Sequence, residues 1–347
     1  MEIYQDTYEI SRLALQRGIA LAYFVAFLST LHQFRPLLGE QGLLPVPLFL
    51  KRVSFKRAPS LFHYHYSDRF FQIVCGLGLS LSIAALTGLS ESGPIWLSMV
   101  VWLAMWAIYF SIVSVGQTFY GFGWESMLLE AGFFASFLGP RTVSASFIPV
   151  FILRWMLFRT ELGAGLIKLR HDECWRDLTC LNYHYETQPL PNPTSWYFHR
   201  LPVWFHKASV AGSHFVQILV PFGLFAPQPV ASVCAALIIS QQLWLIVAGN
   251  YSWLNWITVV LGMSGFGDST FGLSPGGVPR PPAFEIVLWL LLAVTLWLSV
   301  EPTKNFFSKR QKMNASYNPL KLVNSYGAFG SMTRERYEVV LEGTHDP

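Results

Sequence analysis

Eight stretches of this chain are long and apolar enough to be read as membrane crossings: 13–31, 70–88, 94–115, 145–168, 208–226, 229–248, 251–266 and 283–300. A bilayer core takes about 20 mainly apolar residues to span as a helix. Inside it every backbone N–H and C=O must be satisfied internally, which leaves helices as the spanning element for such runs. A further segment, 125–138 ("ESMLLEAGFFASFL"), is shorter and reads as a re-entrant or buried helix, or as part of a tilted span. The expected fold is therefore an all-α polytopic transmembrane helical bundle of roughly seven to nine spans. Composition agrees. Only 13% of the 347 residues are charged, against about 25% in soluble domains. The net charge of +4 is not gathered into a basic helix or stripe, so nucleic acid is excluded as a partner. The first apolar run follows an acidic start and precedes no small-residue cleavage site, so it reads as an uncleaved anchor.

Polar regions at 32–69, at 169–207 and after Glu301 punctuate the apolar runs. The expected domains are a transmembrane helical domain over 1–302, including loops 32–69 and 169–207, and a soluble region from 303 to 347. In that second region "RYEVVLEG" alternates as a strand does after a Gly-containing turn. It reads as the truncated start of a β-rich C-terminal region. By the positive-inside rule, Arg35, Lys51, Arg52, Lys56 and Arg57 place loop 32–69 on the cytoplasmic side. Lys304, Lys309, Arg310 and Lys312 vote likewise for the tail, and loop 169–207 mixes both signs.

Ionisable groups inside apolar spans are costly, so each needs a partner or a role. In 145–168, Arg154, Glu161 and Lys168 are spaced by seven and fall on nearly one helical face, with Gly165 on that face too. Such a stripe is stable facing the bundle interior, where Glu161 can pair with either cation. Arg159 lies off the stripe and needs another acid. "FYGFGWESMLLEAGFF" (119–134) offers two, Glu125 in the first turn of its helix and Glu130 deeper, so Glu130 is expected to pair with Arg154 or Arg159. These groups either set register between helices or line a pocket. Lys168 has two readings, a snorkelling helix end or a desolvated amine acting as a base. Lys168, Glu161 and Glu130 are the catalytic candidates if the chain is an enzyme.

Loop 169–207 is the densest polar and aromatic region, suited to a membrane-interface platform or to a protein-binding surface. Cys174 and Cys180, six positions apart, are spaced for a small disulfide in an oxidising compartment. Together with His171, Asp172, Glu173 and His184 they form no recognised metal-ligand spacing, and no metal is expected. There is no nucleophile elbow, P-loop or dinucleotide fingerprint, and no cofactor is expected. Asn250 and Asn314 head glycosylation sequons, Asn314 being the better placed if the tail is luminal.

Five stretches carry a family resemblance. They are "YFVAFLSTLHQFRPLLGEQGLLP", "YGFGWESMLLEAGFF", "RWMLFRTELGAGLIKLRHDECWRDLTCLNYHYETQPLPNPTSWYFHRLPVWFHK", "AGNYSWLNW" and "NPLKLVNSYGAFGSMTRERYEVVLEGT". Together they resemble the lipase maturation factor family over nearly the whole chain. The resemblance implies a polytopic membrane protein. Animal members reside in the endoplasmic reticulum and act as chaperone-like factors, more than as enzymes, in the folding and assembly of homodimeric secreted lipases. Implied partners are client lipases or other secreted proteins, and membrane lipids. The implied location is the endoplasmic reticulum membrane in a eukaryote and the inner or plasma membrane in a bacterium. The signature region maps onto Trp124, Glu125, Glu130, Arg154, Arg159, Gly165 and Lys168, then onto Cys174, Trp175, Arg176, Asp177 and Cys180. It continues through Tyr183, His184, Tyr185, Glu186, Gln188 and Pro189 to Asn250. Loop 32–69 and the 139–146 connection look short beside animal members, and long members continue past residue 347.

More distantly, "AGLIKL" is similar to a stretch in the transmembrane domain of vitamin K-dependent gamma-carboxylase, whose lysine base falls where Lys168 stands. That similarity implies an alternative, a bacterial membrane enzyme or binding protein acting on a lipid-soluble substrate. It requires an enclosed cavity that reaches Lys168.

Overall fold

In the computed structural model, which describes residues 6–188, 190, 192–273 and 278–343, the apolar runs become packed helices. The longer ones are α1 (Glu9–Leu38), α2 (Asp68–Thr87), α3 (Ile95–Val115), α4 (Gly123–Ala135), α5 (Phe147–Arg170), α6 (Val203–His214), α7 (Val230–Ala248), α8 (Leu254–Gly262) and α9 (Pro282–Leu298). Local chemistry sets several ends. The Asp268 carboxylate accepts from the N–H groups of Glu9 and Ile10 at 2.8 and 3.0 Å, satisfying the first turn of α1 from a distant loop. Ser67 caps α2 by accepting from the Phe70 N–H at 3.1 Å, and Gly88 ends it with φ of 84°.

Among the described residues, five helices are long and apolar enough to cross a membrane: α1, α2, α3, α7 and the continuous stretch Pro282–Phe307 that begins with α9. The expectation of seven to nine spans is corrected accordingly. The predicted span 145–168 is one 24-residue helix, α5, but it carries Arg154, Arg159, Glu161, Lys168 and Arg170. The predicted span 208–226 is broken by a π-helical turn, Phe215–Leu219, and by Pro221. The predicted span 251–266 holds only the 9-residue α8 and a short 3₁₀ turn. These helices pack among the five. Large apolar side chains such as Ile73, Leu77, Trp289, Leu290 and Trp297 remain on the outside. An exposed apolar surface of this kind needs a lipid environment, and the chain is an integral membrane protein.

The two ends of the bundle differ. At one end the start of α1 meets the connection after α4, with Arg12 donating to the carbonyls of Pro140 and Val143 at 2.7 Å each. At the other end lie loop 39–67, the turn after α3, residues 171–188 and 192–202, the α7–α8 connection and residues 313–332. Gln117 donates to the Leu44 carbonyl at 2.8 Å, Trp253 to the Trp124 carbonyl at 3.3 Å, and Asn192 to the Gly249 carbonyl at 3.3 Å.

The C-terminal segment corrects a second expectation, a β-rich region. Among the described residues no strand forms, and the one ladder element is an isolated antiparallel bridge between Ala315 and Ser325. A single alternating run such as 336–343 has no neighbour with which to share a ladder, and Tyr337, Val339, Val340 and Leu341 stay exposed. Residues 313–332 instead form a strap laid across the bundle end. Gly163 makes this possible, because a Cβ there would sit 2.2 Å from the Tyr326 carbonyl oxygen.

Candidate functional site

Helix α5 divides its charges between two sides. Arg159 points to α4, where it is ion-paired with Glu130, both side chains being fully buried. The strap completes this cluster. The Asn324 backbone N–H and side-chain amide donate to Glu130 Oε2 at 2.8 and 2.9 Å, the Tyr326 hydroxyl donates to the same oxygen at 2.8 Å, and Arg159 donates to the Asn324 carbonyl. Of the two expected pairings for Glu130, the one with Arg159 forms. Arg154 goes elsewhere: its Nε donates to the Ser264 carbonyl at 2.9 Å, and its guanidinium lies 5.5 Å from the Tyr8 ring centre. Glu125, buried in the first turn of α4, accepts from the Tyr109 hydroxyl. Trp124 stacks on Phe122 at 4.4 Å.

On its other side α5 lines a cavity of about 370 Å³. Glu161 and Lys168 come from α5, Gln217 from the π turn, Gln242 from α7, and Asn255 from α8. Lys168 does not snorkel. It is 4% exposed, donates to Gln217 Oε1 at 2.7 Å, and sits 4.9 Å from the Trp175 ring centre. Glu161 Oε1 accepts from Gln242 Nε2 at 2.7 Å. Glu161 Oε2, Gln242 Oε1 and Asn255 Nδ2 have no hydrogen-bond partner among the described residues. Gly165 lets the π turn come close, since a Cβ there would lie 2.7 Å from Ile218 Cγ1. Without that approach Gln217 would not reach Lys168. Of the three catalytic candidates, Lys168 and Glu161 share this cavity and Glu130 does not line it.

Loop 169–207 and the strap close the loop-side end of the cavity. Cys174 and Cys180 form a disulfide, so they do not act as thiolate metal ligands. Their loop presents Trp175, whose indole N–H donates to the Phe329 carbonyl at 2.7 Å. Burial raises the Asp172 carboxyl's pKa, but N–H groups of Cys174 and Met332 outweigh that and hold it below the usual carboxylate range. The strap is thus tied to the loop by side chain and backbone together. His184 shares a 2.8 Å hydrogen bond with the Tyr251 hydroxyl. Burial, aided by the Lys168 charge, lowers the pKa of its imidazole to about 4, so it is neutral at pH 7. Tyr185 packs on Phe198 and His206, and burial raises its hydroxyl pKa to about 12.

The remaining signature residues lie around this end. Arg176 and Asp177 are exposed, Arg176 donating to the Leu169 carbonyl at 3.1 Å. Tyr183 lies under Arg334, its ring centre 5.7 Å from the guanidinium. Glu186 is 3.4 Å from His199. Gln188 is buried and its carbonyl accepts from Arg336. Asn250 is exposed in the α7–α8 connection, away from the cavity lining. Pro189 lies outside the described residues. Sequence reasoning missed Gln217, Gln242, Tyr251, Asn324 and Tyr326 as site residues. For Gln217 and Gln242 a signal was present, amides standing inside apolar runs.

Residues 10–273 match the family described as the lipase maturation factor transmembrane domain. Lipase maturation factor 1 of Mus musculus is 40% identical over 389 aligned positions, which cover 99% of this chain and 67% of that protein. Lipase maturation factor 1 of Homo sapiens is 40% identical over 384 positions, with the same coverage. Lipase maturation factor 2 of Xenopus tropicalis is 34% identical over 279 positions, 73% of this chain and 38% of that protein. No solved structure matches the chain. The family match takes in α1 through α8, and so both the Glu130–Arg159 pair and most of the cavity: this chain belongs to the lipase maturation factor family.

Proposed function

We propose that this chain is a membrane-embedded maturation factor, chaperone-like, that assists the folding and assembly of secreted lipases. The observation that carries the reading is the 40% identity with lipase maturation factor 1 over 99% of the chain. The client-facing surface in this reading is loop 169–207 with the strap. Its outer rim exposes Trp196, Tyr197 and Trp204, and Arg200 stacks on Trp196 at 3.5 Å. Aromatic and Arg side chains of this kind make strong contacts with protein partners and with the lipid interface.

The same reading puts this end of the bundle in the endoplasmic reticulum lumen. A disulfide persists in an oxidising compartment, and Cys174–Cys180 lies at this end. The basic residues of loop 32–69 share the end and vote the other way. The disulfide takes precedence here because it is a chemical requirement, whereas the charge bias is a statistical one. Thiol labelling of reduced Cys174 and Cys180 in sealed vesicles tests sidedness. Reaction from the cytosolic face would refute the luminal placement.

The functional test is co-expression with a homodimeric secreted lipase in cells that lack their own lipase maturation factors. Secreted lipase activity is expected to rise when the full chain is present, and to stay low with a Trp196→Ala, Trp204→Ala variant that reaches the membrane in equal amount. Unchanged activity with the intact chain well expressed would overturn the reading.

A further inference from the structure

The exposed aromatics proposed to meet a client, Trp196, Tyr197 and Trp204, do not line the cavity, and the cavity's chemistry is that of a small-molecule site. Its charged lining is balanced: Lys168 and Glu161 bring one cation and one anion, and each is held by a glutamine amide rather than by the other. Buried hydrogen-bonding atoms without partners are unfavourable, and among the described residues four belong to side chains lining this space. Glu161 Oε2, Gln241 Oε1 and Gln242 Oε1 are acceptors, and Asn255 Nδ2 is a donor. An acid bound here would suit Lys168 but oppose Glu161, and an amine would do the reverse. A neutral head suits both, with hydroxyls toward Glu161 and Gln242 and a carbonyl toward Asn255. Much of the wall is apolar, formed by Ala164, Val210, Leu245 and the rings of Trp175 and Phe329, so the rest of the ligand is hydrocarbon.

The cavity also has a side entrance. Contact between α6 and α7 runs through the π turn Phe215–Leu219 rather than along α6. Above that turn, lining residues from both helices reach the outer surface: Gly212 from α6, and Leu237, Ser240 and Trp244 from α7. A Cβ added at Gly212 would meet nothing within 4 Å, so there is open space beside the helix here. Among the described residues one side-chain hydrogen bond crosses the gap, from Gln241 Nε2 to Ser213 Oγ at 3.0 Å. The neighbouring surface is apolar, with Phe215, Leu219, Val233 and Leu243 exposed, so the opening faces the lipid.

We infer that the cavity binds a neutral, hydroxylated single-chain amphiphile of the monoacylglycerol class, admitted from the bilayer through the gap between α6 and α7. The test uses the full chain in phosphatidylcholine nanodiscs and a monoacylglycerol carrying a photoreactive diazirine in its acyl chain. Labelling is expected on peptides of α6, the π turn and α7, and monooleoylglycerol should compete for it whereas oleate should not. Gly212→Trp plugs the gap from one side and Ser240→Trp from the other, and each should cut labelling by about tenfold or more. Leu243→Trp, on the lipid face of α7 outside the cavity lining, should leave it intact. Two results would overturn the inference. One is labelling spread over all lipid-facing helices and indifferent to both plugs. The other is equal competition by oleate, which would mean that the head is read by charge.

Discussion

Glu130 and Glu161 are both buried carboxylates reached from α5, and the chain treats them in opposite ways. Glu130 meets Arg159, Asn324 and Tyr326, so both of its oxygens are occupied. Glu161, two residues beyond Arg159, has one glutamine donor and one oxygen without a partner among the described residues. A fully satisfied buried network holds elements together, whereas a partly satisfied one is costly unless something else uses it. The first cluster is therefore the joint that fastens the strap to the bundle, and the second is the polar part of a binding cavity.

Four measurements sharpen or break that contrast, all by detergent–denaturant unfolding of the purified chain. The largest effect is expected from Arg159→Met, which leaves Glu130 buried without its cation and should cost about 3–5 kcal/mol. Adding Glu130→Gln should restore part of the loss. If Arg159→Met alone were neutral, the cluster would not be the joint.

The next effect is a pH dependence. His184 has a folded pKa of about 4, below its ordinary value of 6.5. Between these values the unfolded chain takes up a proton that the folded chain refuses. Stability should therefore be unaffected by this group above pH 6.5 and fall as pH drops toward 4, by up to about 3 kcal/mol. His184→Gln keeps a partner for Tyr251 and should flatten the profile over that window. An unchanged slope would mean that His184 is hydrated in the folded chain.

Replacing Cys174 and Cys180 by serine removes a six-residue closure and should cost about 2 kcal/mol. The loss should be accompanied by freer solvent access to Trp175, read as fluorescence quenching. Quenching unchanged from the parent chain would show that the strap alone holds the indole. The smallest effect is expected from Glu161→Gln, within about 1 kcal/mol, because the hydrogen bond with Gln242 can persist and no ion pair is broken. A loss as large as that of Arg159→Met would erase the distinction between the two carboxylates.

Much of this was legible in order along the chain. The seven-residue spacing of Arg154, Glu161 and Lys168 put them on an inward face, and all three are buried. The need of Arg159 for an acid from the preceding segment led to Glu130. The span count was less legible, because apolar runs at 208–226 and 251–266 look alike whether or not a π turn or a short helix interrupts them. The tail misled for a related reason. Alternation over 336–343 is a local pattern, whereas a strand exists only with a partner.

The sequence by itself determined the membrane class, the inward charged stripe and the spacing of the Cys174–Cys180 loop, because apolar length, helical period and residue separation are properties of neighbouring residues. Only the tertiary structure decided what Lys168 does. Its amide partner stands 49 positions away, that of Glu161 stands 81 positions away, and the strap donors Asn324 and Tyr326 that complete the Glu130 cluster stand 194 and 196 positions away. A lysine at a helix end is drawn to the surface by hydration, and packing alone, through Gly165 and the π turn, brings enough polar atoms to hold it inside.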